Sequence, residues 1–267
     1  MDNSIWRRFD LSSIILADFT HDAPGMMADQ PYQHNAAIGI LLALLVITSW
    51  LVVHIYSVFF HELASPFWIT AGLIAVQCWL YTGLFIVAHD AIHGVLFPNS
   101  PKANTAIGTA IFFVYAGFNW TIMREAHLDH HRYPGTYKDP DFNANNPHAF
   151  WPWYLKFFTQ YFGIKQFLVL LGFTLAYIFI FDAAYLNTII MWAVPAILSS
   201  VQLFYFGTYR THRHGDGFVD HHNARSNNFP VWLSLLTCFH FGYHHEHHLY
   251  PHEPWWRLPA RKKEIRA

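Results

Sequence analysis

Residues 66–93 read PFWITAGLIAVQCWLYTGLFIVAHDAIH. No aspartate, glutamate, lysine or arginine interrupts the run before Asp90, and it closes on two histidines four residues apart. A helix rises about 1.5 Å per residue, so about 20 apolar residues cross the hydrocarbon core of a bilayer. The stretch therefore predicts a transmembrane helix over 66–88 that delivers His89 and His93 to one membrane face. Residues four apart share a helix face, and neutral imidazole is the commonest metal-ligating side chain.

Three more segments have this character: 36–60, 167–181 and 186–206. The links within the first and second pairs are very short, so each pair predicts a helical hairpin. Residues 104–118 are apolar but short, and predict a buried or half-inserted helix. The whole chain is 54% hydrophobic and 12% charged, where soluble domains carry about 25% charged residues. Helices this long without a polar stripe do not suit a soluble fold. Lysine and arginine are absent from 9–101 and from 166–209. The positive-inside rule then puts both termini and the central loop in the cytoplasm. The expected organisation is one integral-membrane domain over 1–267: an N-terminal cytoplasmic segment 1–35, a core 36–259 and a basic tail 260–267. Arg7-Arg8 resembles a twin-arginine export signal only loosely, because the stretch after it is too short and too polar. A net charge of −1 gives no basic excess for nucleic acid. Cys78 and Cys238 are too few for a zinc-thiolate site or a disulfide framework, and Cys78 reads as a packed thiol.

Two further histidine boxes flank the apolar segments: His127-Leu-Asp-His130-His131 and His244-His245-Glu-His247-His248. On the hairpin layout all three boxes emerge on one face. They offer two, three and three ligands, counting His244, His247 and His248 in the last. That exceeds the need of one ion, so two metals are expected, each box aiming its rings at one point. A ninth ligand is expected from the segment after the fourth span, with His222 as first choice and His221 as the alternative. Asp220 is placed to orient a ligand ring through its second nitrogen, and His212 reads as a supporting or loop residue. His21, His34, His54, His61 and His148 read as ordinary polar groups. Imidazole suits zinc, copper, iron and nickel; open positions for oxygen require a redox metal, which zinc is not. No HExxH, GxGxxG, phosphate loop or nucleophile elbow occurs, so electrons must come from another protein. Phe112, Phe113, Tyr115, Phe118 and Trp120 are candidate lining for an apolar substrate, and Trp255 and Trp256 are candidate interface anchors.

Residues 88–94 (AHDAIHG), 127–135 with 139–142 (DPDF), 220–226 (DHHNARS) and 234–259, with its Cys238-Phe-His-Phe241 and Pro254-Trp-Trp-Arg-Leu-Pro259, carry a family resemblance. From 36 to 259 the chain resembles the membrane fatty-acid desaturase and hydroxylase superfamily, and within it the bacterial carotenoid ketolases. The resemblance implies an all-α membrane protein with four transmembrane helices in two hairpins under a cytoplasmic helical cap. It implies a non-haem di-iron site on His89, His93, His127, His130, His131, His244, His247 and His248, with His222 matching the extra histidine. It further implies O2 as co-substrate and an external, ferredoxin-type electron donor. The reaction would convert the C4 methylene of β-ionone rings to a ketone by two hydroxylations and a dehydration. The substrate, β-carotene or zeaxanthin, would come from the lipid of a bacterial inner or cyanobacterial membrane. The alternatives are an acyl-lipid desaturase or carotenoid ring hydroxylase of the same superfamily, or a non-enzymatic haem or zinc membrane protein.

Overall fold

Long apolar runs dictate the long helices, and the computed structural model finds them, describing residues 36–215 and 217–266. Expectations for 1–35, including Arg7-Arg8, His21 and His34, lie outside the described residues. Helix α1 covers Ala36–Phe60, its last turn widened to a π-helix, and α2 covers Phe67–Ile92. Next come α3 (Pro101–Ala116), α4 (Trp120–Arg132), α5 (Phe150–Tyr161) and α6 (Ile164–Phe179). Helix α7 runs Tyr185–His212 with two π-helical stretches, Ile189–Ala193 and Phe204–Tyr209. Three shorter helices close the chain: α8 (Val231–Cys238), α9 (His244–Leu249) and α10 (Leu258–Arg266).

Three helices, α1, α2 and α7, are each long and apolar enough to cross a membrane. The count rises to five if each of two bent pairs, α3–α4 at 99° and α5–α6 at 75°, is one span. The expected third span, 167–181, is corrected: α6 has 16 residues and is too short alone. The bend at Phe162-Gly163, both extended, joins it to α5. Leucines and phenylalanines face outward on these elements; Leu41, Leu44, Leu45, Phe167, Leu168 and Phe179 are all exposed. At about 25 cal/mol per Å² such surface is costly in water and costs nothing in lipid.

The second half of α2 is the axis of the molecule, with every residue from Leu80 to Ile92 buried except Phe85. Gly83 permits this, since a Cβ there would sit 2.6 Å from Phe239 Cζ and 2.9 Å from Val46 Cγ1. Buried polar links tie α2 to α7: Thr82 Oγ1 lies 3.1 Å from Ser199 Oγ, and the Cys78 thiol donates to Gln202 Oε1 at 3.1 Å. The two hairpin links meet at the end away from the histidine boxes, where Asn187 Nδ2 donates to the His61 carbonyl at 2.6 Å. His54 accepts from Gln77 Nε2 (2.9 Å) and pairs with Tyr177 Oη (3.0 Å), His61 pairs with Thr70 Oγ1 (2.8 Å), and His148 is exposed. All three behave as ordinary polar groups.

Most of the residues expected as a basic tail lie in α10, which clamps the region of the third box. Glu253 is buried and pairs with Arg257 and Arg261. Lys262 donates to the Asn227 carbonyl at 2.6 Å and lies 3.8 Å above the Tyr243 ring. Trp255 is also not an interface anchor: it is buried 5.3 Å from the Phe239 ring, and its backbone N–H donates to Asp90 Oδ2 at 3.3 Å. Because Glu253 is buried while both arginines keep some water, Glu253→Gln is expected to destabilise the protein by about 2 kcal/mol. The midpoint of unfolding in detergent measures this; an unchanged midpoint would mean the clamp adds nothing.

Candidate metal centre

Each histidine box reaches the centre by a different device. Helix α2 continues past the expected 88 to Ile92, which carries His89 on its last turn and His93 at its C-cap. Helix α4 starts where the Asn119 side chain accepts from the Ile122 N–H at 3.1 Å, and presents His127, His130 and His131 two to three turns later. The short α9 is aimed by two successive left-handed residues, Phe239 (φ 47°) and His240 (φ 62°). Such backbone costs roughly 1–3 kcal/mol per residue. Packing holds it, with Phe239 stacked on Trp79 at 4.5 Å and the His240 N–H bonded to the Ser234 carbonyl at 3.0 Å.

Nine histidines converge in two groups. His89, His93, His127, His131 and His247 form the first, and His130, His212, His244 and His248 the second. In the first, Nε2 of His247 lies 3.2 Å from that of His89 and 2.8 Å from that of His131, and His93 and His127 approach to 2.8 Å. In the second, Nε2 of His248 lies 3.2 Å from that of His130 and 3.1 Å from that of His244, with His130 to His244 at 3.5 Å. The expectation that each HxxHH box serves one point is corrected. Positions i and i+4 point together while the intervening one diverges, so α4 sends His127 and His131 to one group and His130 to the other. Helix α9 does the reverse, sending His244 and His248 to the second group and His247 to the first. His131 and His248 stack at 4.2 Å where the groups adjoin.

The donor set fits cations. His130 Nδ1 donates to Asp139 at 3.0 Å, and His212 Nδ1 donates to the Asn223 carbonyl at 2.8 Å. Against the effect of burial, the Asp139 carboxylate raises the His130 pKa; in the neutral form each ring turns a lone pair on Nε2 toward His244 and His248, where imidazole hydrogen bonds cannot satisfy every nitrogen. Burial and neighbouring rings hold His244, His247 and His248 well below the ordinary imidazole pKa, in the neutral, ligating form. Ligands at right angles about 2.1 Å from an ion stand about 3 Å apart, which matches the Nε2 spacings.

Two expected roles are relocated. The structure brings His212, not His222, into the second group. His222 lies in a separate cluster with Asp220 and His221, its ring 5.9 Å from His248. Asp220 orients no ring of either group; it accepts from His245 Nε2 at 2.8 Å and from the His222 N–H at 2.9 Å. The carboxylate behind a converging ring is Asp139, buried and also accepting from the Gly135 and Asp141 N–H groups at 2.8 Å each. In the sequence Asp139 stands within the DPDF segment with no role assigned to it. Its signal is a loop carboxylate close after the box.

A cavity opens on His127, His130 and His244, walled by Tyr115, Phe118, Phe157, Phe158, Phe162 and Phe241. A second shares Tyr115, Phe118, Phe158 and Phe162 and continues between α3, α6 and α7 to Trp192 and Ile197. Of the five expected lining aromatics, Tyr115 and Phe118 line it. Phe112 is buried in the core, Phe113 faces outward, and Trp120 packs over Gly108.

Residues 64–174 and 160–267 match the fatty acid desaturase family. A β-carotene ketolase of Paracoccus sp. (strain PC1) is 44% identical over 90% of this chain and 96% of its own. A β-carotene 4-ketolase of Protosiphon botryoides is 33% identical over 84% of this chain and 63% of its own. A zeaxanthin 4-ketolase of Chlamydomonas reinhardtii is 32% identical over 86% of this chain and 54% of its own. With most of its length matched both by the family model and by a relative of near-equal length, the chain belongs to the fatty acid desaturase family, within the group that contains the carotenoid ketolases.

Proposed function

We propose that this protein is a carotenoid ketolase that converts the C4 methylene of a β-ionone ring to a ketone at a di-iron centre. The ketolase activity follows from the likeness to β-carotene ketolases over nearly the whole chain. The observation that carries the chemistry is the two histidine groups opening on an aromatic cavity. The first ion is assigned to His89, His93, His127, His131 and His247, and the second to His130, His212, His244 and His248. Bound iron supplies the activation of O2 that zinc does not. Each hydroxylation consumes one O2, two electrons and two protons and releases water; the resulting geminal diol then loses water to give the ketone. The electrons are assigned to a separate, ferredoxin-type protein.

The chain's own share is positioning. The aromatic wall holds an apolar rod with one ring against the histidines, which supplies much of the rate by orientation. Asp139 fixes the His130 tautomer. Phe241 closes the floor, its ring 4.7 Å from His89 and 4.8 Å from His244, and excludes water there. The second cavity, between α3, α6 and α7, gives a substrate dissolved in the bilayer a lateral way in. We assign four crossings, α1, α2, the bent pair α5–α6 and α7, with the histidines on the cytoplasmic side. The basic residues gathered at that end support this.

Expression in a β-carotene-producing host tests the function. Extracted pigment should shift to echinenone and canthaxanthin. Unchanged pigment, or new double bonds in acyl lipids instead, would overturn it.

A further inference from the structure

At the histidine end of an otherwise apolar cavity, one carboxylate oxygen has no donor. The Asp141 backbone is tied down: its N–H donates to Asp139 Oδ1 at 2.8 Å, and its carbonyl accepts from Trp153 Nε1 at 2.6 Å. Its Oδ1 accepts from the Tyr161 hydroxyl. Its Oδ2 has only His130 Nδ1, 4.0 Å away, whose hydrogen already goes to Asp139 at 3.0 Å. Among the described residues no other donor reaches it. Asp141 and Tyr161 both line the cavity beside His127, His130 and His244. Two other polar groups of that wall are committed: Tyr115 Oη pairs with Ser199 at 3.2 Å, and Ser200 Oγ with Tyr154 at 2.7 Å.

An acceptor buried without a donor loses its hydration and gains nothing in return. A wholly hydrocarbon ring seated there leaves Oδ2 in that condition. A ring bearing a hydroxyl near the carbon that faces the histidines supplies the missing proton. We infer that Asp141, braced by Tyr161, is a subsite for a ring hydroxyl, so that the cavity favours a 3-hydroxylated β-ionone ring over the unsubstituted one. The inference rests on the carotenoid reading above and adds to it a substrate preference and the residue that sets it. It also orders the chemistry: a ring hydroxylation at C3 would best precede oxidation at C4.

The test is equilibrium binding to the detergent-solubilised, metal-loaded full chain, read from the shift in visible absorption of the carotenoid. Wild-type protein should hold zeaxanthin about tenfold tighter than β-carotene, the worth of one hydrogen bond. Zeaxanthin dimethyl ether, which keeps the oxygen but cannot donate, should bind no tighter than β-carotene. D141L should cancel or reverse the zeaxanthin preference. The ether comparison uses wild-type protein alone and so stands even if D141L does not fold. Equal binding of zeaxanthin and β-carotene by the wild type, or equal binding of zeaxanthin and its ether, would overturn the subsite. So would an unaltered preference in a folded, metal-loaded D141L protein. Binding is read without turnover, so a protein that shows the preference but forms no ketone would sink the ketolase reading and leave the subsite standing.

Discussion

Replacing His247 with alanine is expected to reduce ketone formation below about one thousandth of wild type, the scale on which removal of one member of a cooperating catalytic set is felt. Of its box, His247 alone reaches across to the first group, with Nε2 within 3.2 Å of both His89 and His131. It therefore links α9 to α2 and α4 at once. Truncation leaves four rings around the first position and opens a void under Phe241, whose ring lies 5.2 Å away. The bound metal per chain should fall with activity. His245→Ala is the control from the same box: its ring turns to Asp220 at 2.8 Å, away from both groups. Its activity should stay within about twofold of wild type, the range for substitutions away from such features. Pigment conversion and metal analysis on folded, detergent-solubilised protein measure both variants. Full activity and full metal in His247→Ala would place the chemistry elsewhere.

The contrast between neighbours in one box shows what the primary structure discloses here and what it withholds. Helix periodicity is local, so His89 and His93 could be read at once as one pair on the end of a span, and α1, α2 and α7 from their apolar runs. The division of α4 and α9 between two centres arises from the same periodicity, since positions i and i+4 align while i+3 diverges. What escaped was set by non-local geometry. The bend at Phe162-Gly163 splits an apolar stretch into α5 and α6. The left-handed pair Phe239-His240 aims α9 only because Trp79 and Trp255 pack around it. Asp139 comes under His130 because the loop after α4 folds back through turns at Thr136 and Asp139. Asp220, the carboxylate chosen from the sequence, stands beside a histidine pair, yet its loop directs it to His245.

His212 is the sharpest such case, and its replacement is the second large expected effect. The apolar run of the fourth span ends near 206, so Thr211-His212 reads as the start of a loop. In the structure α7 goes on to His212, through a π-helical turn over Phe204–Tyr209. An added residue within a turn rotates the remainder of the helix by about 100°. His212 thereby arrives buried, its ring 4.7 Å from His130 and 4.8 Å from His244. The Asn223 carbonyl holds its Nδ1 proton, which leaves Nε2 free to ligate. His212→Ala is expected to lose at least about a hundredfold in ketone formation, together with metal from the second position, whereas His222→Ala should stay within several-fold. His212→Gln separates ligation from packing: it refills the space without an imidazole, and should be as inactive as the alanine variant. If glutamine restores activity, His212 only fills volume. If His222→Ala is the inactive variant and His212→Ala the active one, the loop over 213–222 must fold inward in the working enzyme, and His222 completes the second site.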